Sequence, residues 1–374
     1  MYLYLALSLI PIVMSWLIKN KTLDKQRKIY LFSVFGILAF FTCFRGSTVG
    51  TDTAEYLKTF QLVKMYGYSG FGLDHALEYG YFFIVQLFTQ LFSSGQSIIV
   101  FFTGLTYAII AYAIYKHSED VVMSSFLFVV WILPSTMNGM RQHFAFALIL
   151  LAFIKMCEQK NLQSVLLIII AVTFHNSAVI FLPFLLVYSV MKRWSGYKGV
   201  MILCLAAFVS LVFVDRIIQL ISRFIPRYAH YLVSSYYDKV ESSNAIWLII
   251  YVVFLFCYLS IVRNKTKRDE FGLSNTENAN VYYMLLLVLH IAVLVLEATV
   301  RGIFSRLTVY TSYGAVFIIP YVMRNFFTYS PIRLNKRDKG IVIALFYMLF
   351  IVWDYLMLRQ NPHHIIPYAF SFFN

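Results

Sequence analysis

Charge is what this chain has little of. Only 13% of its 374 residues are Asp, Glu, Lys or Arg, while 60% are apolar. Apolar runs of roughly 17–20 residues, long enough to span a bilayer, recur from Tyr2 to Leu358. No intervening stretch is long enough for a soluble domain. Cysteine is equally sparse. Cys43, Cys157, Cys204 and Cys257 are far apart in or beside apolar runs, with no CxxC or Cys/His metal spacing, and they read as core thiols. His363 and His364 are adjacent but have no carboxylate or cysteine beside them, so no metal site is expected. Internal repeats and low-complexity tracts are absent. The first apolar run lacks a basic n-region and a small-residue cleavage site, so it is expected to be a retained helix.

What is present is a basic excess, a formal +14. In a chain this apolar, that excess points to cytoplasmic loops rather than to nucleic acid. Placing the basic segments 19–28, 192–198, 263–268 and 324–339 in the cytoplasm, with 116–120 and 155–160 joining them, puts the N-terminus outside. The expected fold is all-α, a single polytopic domain over 1–374 with about twelve transmembrane helices. These run roughly over 2–18, 29–44, 97–115, 121–137, 141–157, 162–174, 177–191, 199–218, 246–262, 281–298, 306–323 and 341–358. Outer loops fall at about 45–96 and 219–245, and cytoplasmic loops at about 263–280 and 324–340. The run Tyr79–Phe92, about fourteen residues, is short for a span and is expected as an outer membrane-edge helix.

In this topology the unusual ionisable residues gather on the outer side, and charge at a membrane edge is a functional candidate by default. The segment from Arg45 to Tyr56 holds two glycines that permit tight turns, threonines able to cap a helix, and Asp52 at the turn as a candidate base. Arg45 itself reads equally well as a lipid-facing anchor. Glu78 precedes the membrane-edge helix. Asn138 and Arg141 flank an outer turn, and a cation at a helix N-terminus suits a bound anion or a lipid phosphate. His175 sits at the tip of a short hairpin, as a proton shuttle or as a hydrogen-bonded structural residue. Glu297 and Arg301 are four apart, His290 shares their stripe, and Arg306 opens the next helix. Arginines at such ends suit diphosphate, and the alternative is a local salt bridge.

The ordered pattern is more specific than its parts. Arg45…Val-Gly-Thr-Asp-Thr…Tyr56, Glu78-Tyr-Gly-Tyr81, Asn138…Arg141-Gln, Phe174-His175-Asn-Ser177, Arg306 and Pro367-Tyr368 together resemble the EpsG family of Wzy-like exopolysaccharide and O-antigen repeat-unit polymerases. The resemblance implies a glycosyltransferase of the bacterial inner membrane with its site facing outward. It would join undecaprenyl-diphosphate-linked oligosaccharide repeats into O-antigen, capsule or exopolysaccharide, without a cofactor. Its partners would be that lipid-linked glycan, the bilayer and a chain-length regulator. In that frame Asp52, His175 and Glu78 are the candidate catalytic groups. Arg45, Arg141, Arg301 and Arg306 would bind diphosphate or anionic sugar, while Tyr56, Asn138, Glu297 and Tyr368 would shape the cleft. The alternatives are a single-sugar polyprenyl-linked glycosyltransferase, a glycan ligase, and a flippase or transporter. Charge gathered at the outer ends, rather than along a through-path, argues against transport.

Overall fold

The computed structural model describes residues 1–18, 23–71, 78–185, 216, 244–267, 275–300, 305–329 and 334–372. Among the described residues every regular element is helical, and the only β-pairing is an isolated bridge between Arg45 and Phe370. The chain divides into two compact units, Met1–Phe184 with Asn335–Asn374, and Leu185–Leu334.

The first unit opens with α1 (Tyr2–Val13), which runs into a 3₁₀ turn, Met14–Leu17. Then come α2 (Asp24–Cys43), α3 (Thr53–Phe71), α4 (Tyr79–Leu91), α5 (Gln96–His117) and α6 (Val121–Leu127). Asp120 caps α6, its carboxylate accepting the backbone N–H groups of Val122 and Met123 at 3.1 and 3.2 Å. A π-helical stretch, Phe128–Ile132, joins α6 to the single turn α7 (Leu133–Thr136), so the expected helix over 121–137 is interrupted just before Pro134. Next are α8 (Met140–Cys157) and α9 (Asn161–Phe174), which ends at an extended His175 followed by a 3₁₀ turn, Asn176–Ile180.

The second unit contains α10 (Asn244–Lys267), α11 (Asn275–Val300), α12 (Ser305–Thr311) and α13 (Tyr313–Tyr329). Tyr283 and Phe317 stack with ring centroids 3.8 Å apart between α11 and α13. His290 of α11 bonds Thr311 through Nδ1 at 2.7 Å and packs edge-on against Tyr251. The chain then returns to the first unit with α14 (Lys336–Gln360), capped by Asn335 and ended by Asn361 in the left-handed region.

Among the described residues three helices are long and apolar enough to cross a membrane: α5, α8 and α14. At 1.5 Å per residue the 22 residues of α5 extend about 33 Å, enough for the hydrocarbon core. α8 packs between α5 and α9 and buries almost every side chain, whereas α14 leaves Ile343, Leu345, Leu349, Val352 and Leu356 exposed, as lipid contact allows. By contrast α4 extends only about 20 Å. Its outward row Tyr79, Phe83, Leu87 and Leu91 is apolar, while Tyr81, Phe82 and Val85 face inward. The threonines after Arg45 were expected to cap a helix containing Glu55 and Tyr56, and α3 starts at Thr53. The loop after Arg45 holds a helix of 19 residues, broken only at Gly67.

Candidate functional site

The site is built at the ends of elements in the first unit. Two close backbone approaches set it. Gly50 adopts φ +84°, and a Cβ there would run into the carbonyl oxygen of Met137. The loop after α2 therefore lies directly on the turn before α8, and only glycine fits both conformation and space. Gly80, in the first turn of α4, meets the Thr173 hydroxyl near the end of α9 in the same way. That contact brings Glu78 to His175.

Glu78 precedes the first turn of α4, with its side chain only 8% exposed. It accepts from Arg141 Nη1 at 2.6 Å through Oε2, and His175 Nδ1 lies 3.2 Å from Oε1. Burial alone would raise its carboxyl, but the His175 bond and the Arg141 charge outweigh burial and hold it below the usual glutamate range. The Arg141 guanidinium also lies 5.0 Å from the centre of the Tyr81 ring, a cation–π distance, and its side chain remains 25% exposed. Glu78, Arg141 and His175 thus meet from three separate elements.

Asp52 sits beside this trio. Its backbone N–H donates to Asn138 Oδ1 at 3.0 Å, fixing the loop on the turn before α8. The Tyr56 hydroxyl donates to Asn138 O at 3.1 Å, with Asp52 Oδ2 3.4 Å away. The Tyr56 phenol is pushed up to about 12, by burial first and by the Asp52 charge second, so it stays a neutral donor. Among the described residues no lysine or arginine pairs with Asp52, and its carboxylate meets only hydroxyls. The two carboxylates are therefore different in kind. One is neutralised by a cation and an imidazole, the other is left to hydroxyl donors.

Arg45, expected among the ligand-binding arginines, is an interior post in this structure. It is 0% exposed, with Nε donating to Thr53 Oγ1 at 3.1 Å and Nη1 to Thr42 O at 2.6 Å and Thr103 Oγ1 at 3.4 Å. Nη2 has no partner. The negative end of α2 stands where a carboxylate would otherwise be needed. Tyr368 is likewise an anchor: its hydroxyl donates to Phe41 O at 2.7 Å. Arg301 lies outside the described residues, as do the side chains of Glu297 and Arg306, whose backbones are helical in α11 and α12.

Some contributors carried no sequence signal strong enough to single them out. Thr53 links Arg45 to the loop, donating to Val49 O at 2.6 Å. Tyr81 supplies the ring under Arg141; its place three residues after Glu78 was the available clue. The C-terminal tail was the least legible part. Gly46 N–H donates to Ala369 O at 2.7 Å, Ser371 N–H to Phe44 O at 2.9 Å, and Gly50 N–H to His364 O at 3.0 Å, strapping 364–371 onto the Asp52 loop.

Fold and site together define an all-helical membrane protein with an acid–base and cation-bearing cluster at its helix ends. The chain belongs to the EpsG family, whose model matches residues 28–370, the family of Wzy-like polysaccharide polymerases. Its role is accordingly that of a polysaccharide polymerase of glycosyltransferase type. Neither a curated protein nor a solved structure matches the chain.

Proposed function

We propose that this protein polymerises undecaprenyl-diphosphate-linked oligosaccharide repeat units, at a site on the outer face of the bacterial inner membrane, within a fold of about twelve spans. The observation that carries the reading is the pair of unlike carboxylates around Arg141. Glycosyl transfer needs a proton removed from the acceptor hydroxyl as its oxygen bonds the donor anomeric carbon, while the bond from that carbon to the diphosphate oxygen breaks. The electron pair leaves with the lipid diphosphate. Asp52, which pairs with no lysine or arginine among the described residues, suits the base role. Glu78, already held ionised by Arg141 and His175, suits holding those two groups in place. The part-exposed Arg141 guanidinium has further N–H groups to offer developing diphosphate charge, an electrostatic role it would share with Arg301 and Arg306. Arg45 supports the loop that carries Asp52.

The leaving group is already activated, so the reaction needs no nucleotide sugar at the outer face. The outward apolar row of α4 ends at Tyr79, next to Glu78, where a lipid-borne substrate could approach from the bilayer.

Deleting the gene should leave single lipid-linked repeats. A ligase would instead leave finished polymer on its carrier, and that result would sink the polymerase reading. Orientation is tested separately, in a background lacking Cys43, Cys157, Cys204 and Cys257. A cysteine at the exposed Ser94 should react with an impermeant thiol reagent from outside, and one at the exposed Lys160 should not. The reverse pattern would put the site on the other face.

A further inference from the structure

We propose that Asn138 is a specificity-determining residue of the acceptor site: its amide N–H groups, beside the Asp52 carboxylate, donate to the hydroxyl next to the one that is glycosylated. The acceptor so recognised is a sugar with hydroxyls on two adjacent ring carbons, one bound by Asp52 and the other by Asn138. This rests on the polymerase reading above and deepens it.

The geometry comes from the turn before α8. The Asp52 backbone N–H lies 3.0 Å from one terminal atom of the Asn138 side chain. A backbone N–H can only donate, so that atom is the amide oxygen. The Thr51 hydroxyl donates to the same oxygen. Two donors on Oδ1 hold the amide in place and leave its nitrogen at the other end. No acceptor among the described residues takes either hydrogen of Nδ2, and Asn138 is part exposed, so both donors are open to a ligand. Asn138 also governs what Asp52 can accept. The Thr51 hydroxyl lies 3.2 Å from Asp52 Oδ1 and the Tyr56 hydroxyl 3.4 Å from Oδ2. Each hydroxyl has one hydrogen, and each makes its shorter bond to Asn138, Thr51 to Oδ1 and Tyr56 to the backbone oxygen at 3.1 Å. The carboxylate is therefore flanked by hydroxyls yet keeps lone pairs for a substrate O–H. An ionised carboxylate can only accept, and an amide nitrogen can only donate. Tied together through Thr51, the two groups suit neighbouring hydroxyls of one sugar ring, one giving up its hydrogen and the other offering its oxygen. A sugar without the second hydroxyl would desolvate the amide and leave it unpaired, which costs affinity. Arg141, the proposed diphosphate ligand, stands three residues further along the same turn, so acceptor and leaving group meet at one place.

The test is discrimination between acceptors by full-length protein in detergent. One probe is the lipid-linked repeat extracted from a strain deleted for this gene. The others are synthetic copies that each lack one hydroxyl beside the carbon that wild-type polymer shows to be linked. Wild-type kcat/KM should fall by about tenfold on one of these deoxy repeats, roughly the worth of one hydrogen bond. Asn138→Ala should remove most of that difference. Thr51→Val, which loosens the loop but keeps the amide, should retain it, because a merely structural change lowers both rates together and leaves their ratio alone. Wild-type protein indifferent to every deoxy repeat would overturn the proposal, as would a linked carbon with no hydroxyl beside it. So would a wild-type ratio in Asn138→Ala, since another group would then read that hydroxyl. In each of these cases polymerisation itself persists and the polymerase reading stands. If wild type makes no polymer from the extracted repeats, that reading fails and this inference falls with it. If Asn138→Ala fails to fold, Asn138→Ser, which keeps an acceptor for the Asp52 N–H, takes its place with the same expected loss of discrimination.

Discussion

Two arginines at helix ends in the first unit live in opposite surroundings. Arg45 follows α2, is wholly buried, and spends its donors on a helix-end carbonyl and two threonine hydroxyls. Arg141 stands in the first turn of α8, is part exposed, and meets a carboxylate and the face of Tyr81. A guanidinium locked onto neutral oxygens in the interior cannot reach a ligand without giving up the loop it supports. One held by a carboxylate at the rim keeps donors to spare. Both are arginines at the end of an apolar run, one after it and one at its start, and burial is what separates the structural cation from the candidate ligand cation.

The largest effect expected from breaking this contrast is at Arg45. Arg45→Ala removes the donors to Thr42 O and Thr53 and leaves a cavity in the loop core, a loss on the order of 3–5 kcal/mol. The reading is protein level in membranes and thermal unfolding in detergent. Arg45→Ala at wild-type level and melting temperature would mean that the residue holds nothing together. Next is Asp52→Asn, which removes only proton acceptance. Rate should fall on the order of 10²–10⁴-fold with protein level intact, and single repeats should accumulate. Arg141→Lys keeps the charge but loses the planar fork, so polymer should drop by roughly tenfold or more while the protein melts within a few degrees of wild type. If Arg141→Lys instead behaves like Arg45→Ala, losing the fold rather than the turnover, the distinction between the two arginines collapses.

The contrast also shows what a sequence can carry. The helices were legible because apolar length is a property of the string; α5, α8 and α14 lie within a few residues of the expected ranges. Glu78, Arg141 and His175 stood out because each is ionisable at the end of an apolar run. That Glu78 touches both of the others depends on Gly80 pressing against Thr173, a contact across 93 residues that no local pattern encodes. The start of α3 was legible in the capping threonines before Glu55 and Tyr56, but its length was not, because its apolar and polar residues are mixed. His363 was weighed only as a metal ligand. The strap that lays the tail on the loop after α2 is made of long-range backbone bonds that no local pattern encodes. Arg301 and Arg306 belong to the second unit and stand as sequence-derived candidates, to be tested by the same lysine exchange as Arg141.

The smallest effect sharpens the comparison from the carboxylate's side. Glu78 is held below its ordinary value in the folded protein, so the folded state favours its ionised form. The stability this gives is therefore present above the unfolded glutamate value of about 4.3 and is lost as pH falls through the lower folded value. Arg45 has no carboxylate partner among the described residues and contributes nothing to this window. Glu78→Gln should flatten the acid side of the stability profile below about pH 4.3 and cost on the order of 1 kcal/mol at neutral pH, comparable to one net hydrogen bond. The cost stays small because burial of the ionised carboxylate already opposes much of what Arg141 and His175 contribute. Melting temperature in detergent across pH 3.5–7, for wild type and Glu78→Gln, reads both quantities. Parallel profiles would mean that the Glu78–Arg141 contact carries no net stability. Arg141 would then be as free for a ligand with Glu78 in place as without it.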